Sequence, residues 1–137
     1  MKKLFSKAWN SSTQTRKQRK YCFNSPLHVK HKFMSAALSA DLRKENGFRS
    51  IPVRKGDTVL IKTGQFKGKS GKVTKVSLAR VRIYVEGASV KRADGTDSLY
   101  PIHPSNVEIQ KLDLSDKLRV EKIEFLKKNS KKSEVEK

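Results

Sequence analysis

Gly64-Gln65-Phe66-Lys67-Gly68-Lys69-Ser70-Gly71-Lys72-Val73 is the stretch whose reading decides the fold. Val59-Leu60-Ile61 precedes it and Val81-Arg82-Ile83-Tyr84-Val85 follows it. The order is strand, glycine-rich turn, strand, short turn, strand. Gly64, Gly68 and Gly71 sit three or four residues apart, a spacing that suits tight turning and positive φ, which a Cβ opposes. Lys67, Lys69 and Lys72 then project from a compact loop. Lysines together with free backbone N–H groups make a phosphate-binding surface; a solubilising hairpin loop would read the same way.

Working outward, strands are expected over 58–62, 71–78 and 81–86. In the second, Val73, Val76 and Leu78 change phase once, which signals a bulge. In the third, Val81, Ile83 and Val85 alternate inward, leaving Arg80 and Arg82 outside. Residues 90–93 and 98–102 flank Asp94-Gly95-Thr96-Asp97, a hairpin with an Asp-Gly turn. A loop through His103 leads to a last strand at 107–110. Five short strands with small turns are too few for a wide sandwich. The economical solution is a mainly β domain, a small, bent, SH3-like barrel over 51–110.

Residues 1–50 form a basic arm with short helices. The first 24 have no clear apolar period and, alone in water, bury too little to offset their ordering entropy. Trp9, Tyr21 and Phe23, interleaved with charge, are suited to stacking on bases or to packing on the β core. Ser25-Pro26 reads as a helix entry, followed by Leu27, Lys30, His31 and Met34 at helical spacing. Ser39 caps a second helix over 40–45, which Asn46-Gly47 stops. Pro52 keeps 48–53 extended. Residues 111–137 are a C-terminal helix, capped by Asp113 or Ser115 and running to about 128, then a mobile charged tail.

Charge narrows the function. The 137 residues carry 32 Lys+Arg against 13 Asp+Glu, a formal net charge of +19. The surplus is +10 over residues 1–50, +6 over 51–110 and +3 over 111–137. Such a charge opposes compaction and calls for a polyanionic partner. No apolar run approaches the ~18 residues of a spanning helix, so membrane insertion is not expected. One cysteine, Cys22, excludes an intramolecular disulfide and fits a reducing compartment. No apolar run follows the charged start as a secretory signal requires. The acid-free composition of residues 1–20 is shared by organellar transit peptides.

Catalytic readings fare poorly. Gly68-Lys69-Ser70 suggests a nucleotide-binding loop, but that pattern needs glycine where Thr63 stands and a helix after the serine, whereas residues 71–76 read as strand. Cys22, His28 and His31 supply too few ligands for a closed metal site, and the surrounding lysines oppose a cation. A Cys–His dyad would need an orienting third group. His103 has no carboxylate near it in sequence. The expectation is a non-enzyme with no cofactor, no metal and no small-molecule substrate.

The central stretch resembles the KOW motif, and the likeness extends over roughly residues 3–118. Ser11-Ser12 with Arg16-Lys17 and Arg19-Lys20 resemble a basic N-terminal arm. Phe23, Pro26 and His28 fit F-x-x-P-x-H. Met34-Ser35-Ala36 and Leu38-Ser39 with Leu42-Arg43 fit M-S-x-x-L-S-x-x-L-R. Arg49-Ser50-Ile51-Pro52-Val53-Arg54-Lys55-Gly56-Asp57 and Ile102-His103-Pro104-Ser105 with Val107 fit two further signatures. Together they resemble the archaeal/eukaryotic L-twenty-six type of large-subunit ribosomal protein, whose bacterial relative is L-twenty-four. Pro101 and Cys22 depart from that pattern, where glycine and histidine are commoner, and the tail alternates charge sign. Because the likeness uses residues 16–43 as mature structure, the arm is read as retained.

The resemblance implies a structural ribosomal protein that binds the 5′ region of large-subunit ribosomal RNA near the peptide tunnel exit and acts early in assembly. Neighbouring ribosomal proteins and tunnel-exit factors are the implied partners. The implied location is the cytoplasm, with the nucleolus during assembly in a eukaryote. The cations expected to meet RNA are, in the arm, Arg16, Lys17, Arg19, Lys20, His28, Lys30, His31, Lys32, Arg43 and Arg49. In the lead-in and loop they are Arg54, Lys55, Lys67, Lys69 and Lys72, and beyond it Arg80, Arg82 and His103. A KOW-type transcription-elongation or regulatory factor is the alternative. Such factors carry a further α/β domain, for which this chain has no room.

Overall fold

In the computed structural model the described residues are 5, 6, 9 and 12–135, with side chains of the last helix described to 129. Ser11 of the arm signature and the last two residues of the tail lie outside them. The chain starts with two helices, α1 (Thr15–Asn24) and α2 (Leu27–Phe33). Strand β1 (Ser35–Leu38), helix α3 (Ala40–Asn46) and strand β2 (Ser50–Pro52) follow. Then come β3 (Thr58–Ile61), β4 (Ser70–Ser77), β5 (Arg82–Val85), β6 (Ser89–Lys91) and β7 (Asp97–Leu99). A short 3-10 turn (Pro104–Asn106), β8 (Val107–Lys111) and helix α4 (Lys117–Val135) complete it.

Six strands form one sheet in the order β2-β1-β8-β3-β4-β5, and β6 and β7 form a separate hairpin. All neighbours are antiparallel except β1 and β8. The phase change in β4 is a register shift between Val73 and Lys75 against β5. A second shift lies between Thr58 and Val59 against β8. β4 pairs with β3 through residues 70–72 and with β5 through 73–77, so it bends the sheet at the bulge. Ile83 bridges to Ile102 and ties the segment after β7 to β5. Alternation places Val59, Ile61, Val73, Ile83, Val85, Val107 and Ile109 in one core with Met34, Leu38 and Ile51.

Several expectations are corrected. The fold is mixed α/β rather than mainly β, because helices occupy more of the described residues than strands do. No ladder among them joins β2 to β5, so the sheet is bent but open. No strand was expected over residues 35–38, between the two short helices of the arm, where β1 lies. Its sequence, Ser-Ala-Ala-Leu, has weak strand preference, and its ladders to β2 and β8 decide the outcome. Residues 15–24 are helical although none is buried. Tyr21 explains this: its ring stacks on Trp9 at 4.3 Å, tilts against Phe5 at 5.0 Å and meets Phe33 edge-on at 6.2 Å. These rings gather on one another rather than on the β core.

The helix ends are partly as read. Ser39 Oγ accepts from Leu42 N, and Gly47 closes α3 in the left-handed region at φ 74°. Ser25, in contrast, ends α1 rather than starting α2: its hydroxyl donates to Tyr21 O, and Pro26 is the N-cap of α2. The cap of α4 is Asp116, whose Oδ1 accepts from Leu118 N at 3.0 Å. The helix runs to Val135 rather than to about 128, so most of the expected mobile tail is helical backbone.

One buried ion pair joins α4 to the sheet. Asp57 is 0% and Arg119 3% exposed. The guanidinium grips the carboxylate bidentately, Nη1 to Oδ1 at 2.6 Å and Nη2 to Oδ2 at 2.7 Å. The same carboxylate accepts from Arg54 N at 2.8 Å and Asp113 N at 2.9 Å. Arg119 Nη1 also donates to Asp113 O at 3.0 Å. Nearby, Arg54 pairs with Asp116.

Candidate nucleic-acid interface

The glycine-rich stretch splits into two physical roles. Gly64 and Gly68 turn the chain at φ 99° and 86°. Gly71 does not: it lies in β4, and a Cβ there would stand 2.5 Å from Glu86 O. Its smallness lets β4 and the end of β5 approach. The loop is also less open than expected, because its N–H groups at Lys67, Gly68 and Lys69 donate to Gly64, Ile61 and Phe66 carbonyls. Phe66, unmarked by any sequence signal beyond its apolarity, is buried and anchors the loop against Tyr100, ring centroids 5.3 Å apart. Lys67, Lys69 and Lys72 remain exposed, with Lys69 Nζ over the Phe66 ring at 5.2 Å. The residues after Gly68-Lys69 are strand, not the helix a nucleotide-binding loop requires.

The sequence-expected cations fall into three groups. Arg16, Lys17, Arg19 and Lys20 are exposed on α1, which carries no acid in its first turn. Lys67, Lys69 and Lys72 form the loop group. Lys30, Arg80, Arg82 and His103 converge on a cleft of about 580 Å³ between the arm and the β4–β5 turn, with Cys22, Phe23, Phe33, Ala79 and Val81. Lys30 Nζ holds the cleft together by donating to Ala79 O at 3.1 Å. Val81 takes φ 53°, a left-handed conformation that costs a β-branched residue about 1–2 kcal/mol.

Three other expected cations are partly buried in the fold. Arg43 Nε donates to Leu38 O at 2.7 Å, tying α3 to β1. Arg54 is taken by Asp116. His31 is half-buried, and burial first, then Lys122 and Arg54, push its pKa below the ordinary histidine value. His28, Lys32, Arg49 and Lys55 are exposed and join none of the three groups.

His103 is held by its neighbour Ser105. Ser105 N donates to its Nδ1 at 3.3 Å, and Ser105 Oγ lies 2.8 Å from the same nitrogen. Ser105 Oγ in turn donates to Asn106 Oδ1 at 3.4 Å. Burial, then the charge of Arg82, hold the His103 pKa below the ordinary histidine value. Phe33 was not singled out in the sequence; Val81, expected to face inward from the third strand, instead precedes β5 in the left-handed turn and lines the cleft.

Among the described residues no group of three or more His, Cys, Asp or Glu is placed to hold a metal, and no helix is long and apolar enough to cross a membrane. A model of the family described as ribosomal proteins L-twenty-six of eukaryotes and L-twenty-four-P of archaea matches residues 12–125. The chain belongs to that family, whose members are structural, non-enzymatic components of the large ribosomal subunit.

Proposed function

Starting from that membership, we propose that the chain binds the 5′ region of large-subunit ribosomal RNA near the peptide tunnel exit and supports an early step of subunit assembly. The observation that carries this is the exposed cation surface. Arg16, Lys17, Arg19 and Lys20 make no ion pair with any described residue, in a chain of net charge +19. Their natural counterions are phosphates. The loop lysines and the cleft cations extend the same surface, and His28, Lys32, Arg49 and Lys55 lie free to join it. Arg43, Arg54 and His31 contribute by holding the scaffold.

The working division is a basic arm over 1–50, a KOW unit over 51–110 and a C-terminal helix and tail over 111–137, with β1 of the arm lent to the sheet. The bent sheet is taken as an SH3-like barrel left open at its edges. Partners are ribosomal RNA, neighbouring ribosomal proteins and factors at the tunnel exit, in cytoplasmic ribosomes and, in a eukaryote, in the nucleolus during assembly. The test replaces Arg16, Lys17, Arg19 and Lys20 together with alanine. The variant is expected to keep the wild-type circular dichroism spectrum but to leave the large-subunit fraction in a high-salt sucrose gradient. Full incorporation at reduced dosage would refute the proposal.

A further inference from the structure

We propose that the cleft between α1, α2 and the β4–β5 turn is a pocket for one unpaired nucleobase of the bound RNA, stacked on Phe23 and flanked by phosphates on Arg80 and Arg82. This rests on the RNA-binding reading above and adds to it a specific subsite.

The cleft has the composition such an occupant requires. Its apolar wall is Phe23, Phe33 and Val81; its rim is cationic, and among the described residues no acid lines it. Phe23 is 73% exposed, unusual for a phenylalanine beside an available core. Aromatic faces next to backbone-tracking cations are the general means of holding unstacked bases. His103 contributes its Nε2 nitrogen, because both Ser105 contacts fall on Nδ1. An imidazole nitrogen suits the polar edge of a base. The volume of about 580 Å³ lies within the range of pockets that enclose small organic ligands. Charge separates this occupant from a peptide. A segment of another basic ribosomal protein would meet Lys30, Arg80 and Arg82 as like charges, whereas a nucleotide carries its counter-charge with it.

The test uses the full-length chain and a transcript of the 5′ region of large-subunit ribosomal RNA. Phe23→Ala is expected to weaken binding about 5- to 150-fold while leaving the salt dependence unchanged, because no charge is lost. Phe23→Trp should restore affinity; Phe23→Leu should not. Arg80→Ala should instead lower the log–log salt slope by roughly 0.7–0.9. Cys22, the one cysteine of the chain and exposed on the cleft wall, reports occupancy directly: RNA should protect it from N-ethylmaleimide. Binding of Phe23→Ala within twofold of wild type, with Cys22 alkylated at the free rate on saturating RNA, would overturn the base pocket and leave the RNA reading intact. Protection of Cys22 in assembled subunits but not by RNA alone would overturn it in favour of a protein occupant. A wild-type chain that fails to bind the transcript would overturn both readings.

Discussion

Replacing Asp57 with alanine should damage this fold more than any surface change, and the size of the effect follows from what the carboxylate holds. It accepts four hydrogen bonds, two from Arg119 and one each from the Arg54 and Asp113 backbone. Its loss leaves a guanidinium that is 3% exposed without a counter-charge, its Nε already unpartnered among the described residues. Breaking a buried pair from one side costs about 3–5 kcal/mol, against a total stability of about 5–15 kcal/mol for a domain. For a chain of this length each kcal/mol moves the thermal midpoint by roughly 3–5 °C, so Asp57→Ala should lower it by about 9–25 °C. Removing both charges is different. Asp57→Ala with Arg119→Met leaves no stranded ion and should recover most of the loss. Thermal melts followed by circular dichroism measure all three proteins, and hydrogen exchange on α4 reports whether the helix is released first. A midpoint for Asp57→Ala within 3 °C of wild type, or a double variant no better than the single one, would refute the reasoning.

Three further outcomes are expected. Gly71→Ala should destabilise by about 1–3 kcal/mol through contact with the Glu86 carbonyl; Gly64→Ala, strained only in φ, should cost less, about 1–2 kcal/mol, and denaturant melts rank the two. Phe66→Ala should cost about 3 kcal/mol or more and loosen the lysine loop, seen as faster amide exchange at Lys67–Lys69. His31 and His103 have folded pKa values depressed below the unfolded value of about 6.5. The unfolded chain therefore binds more protons in that window, and stability should be full above pH 6.5 and fall as pH drops through the folded values. Melts from pH 7.5 to 5 check this, and His103→Asn should flatten part of the decline.

What could be read in advance was what short-range chemistry decides. Ser39 and Gly47 bracket α3 because capping depends on a few neighbouring residues. The phase slip of Val73, Val76 and Leu78 marks the bulge because side-chain alternation registers an extra residue directly. Asp94-Gly95 marks the β6–β7 turn for the same local reason. What escaped depends on distant partners. Asp57 and Arg119 are 62 positions apart, and neither residue differs locally from a solvated charge. β1 is a strand because β2 and β8 flank it. The helix at 15–24 depends on Tyr21 meeting Trp9, Phe5 and Phe33, which no periodicity announces. The cation groups were partly legible: α1 and the glycine loop are contiguous in sequence, while the cleft of Lys30, Arg80, Arg82 and His103 exists only once α2 lies against the β4–β5 turn.

The central claim is that surplus cations on a small bent sheet and its arm neutralise ribosomal RNA phosphates. Its most direct test is the salt dependence of binding to a 5′-region transcript. If roughly ten phosphates are neutralised, log affinity should fall against log salt with a slope of about −7 to −9. The quadruple alanine variant of α1 should reduce that slope by roughly 3. A slope near zero for the wild-type chain, or one unchanged in the variant, would contradict the account.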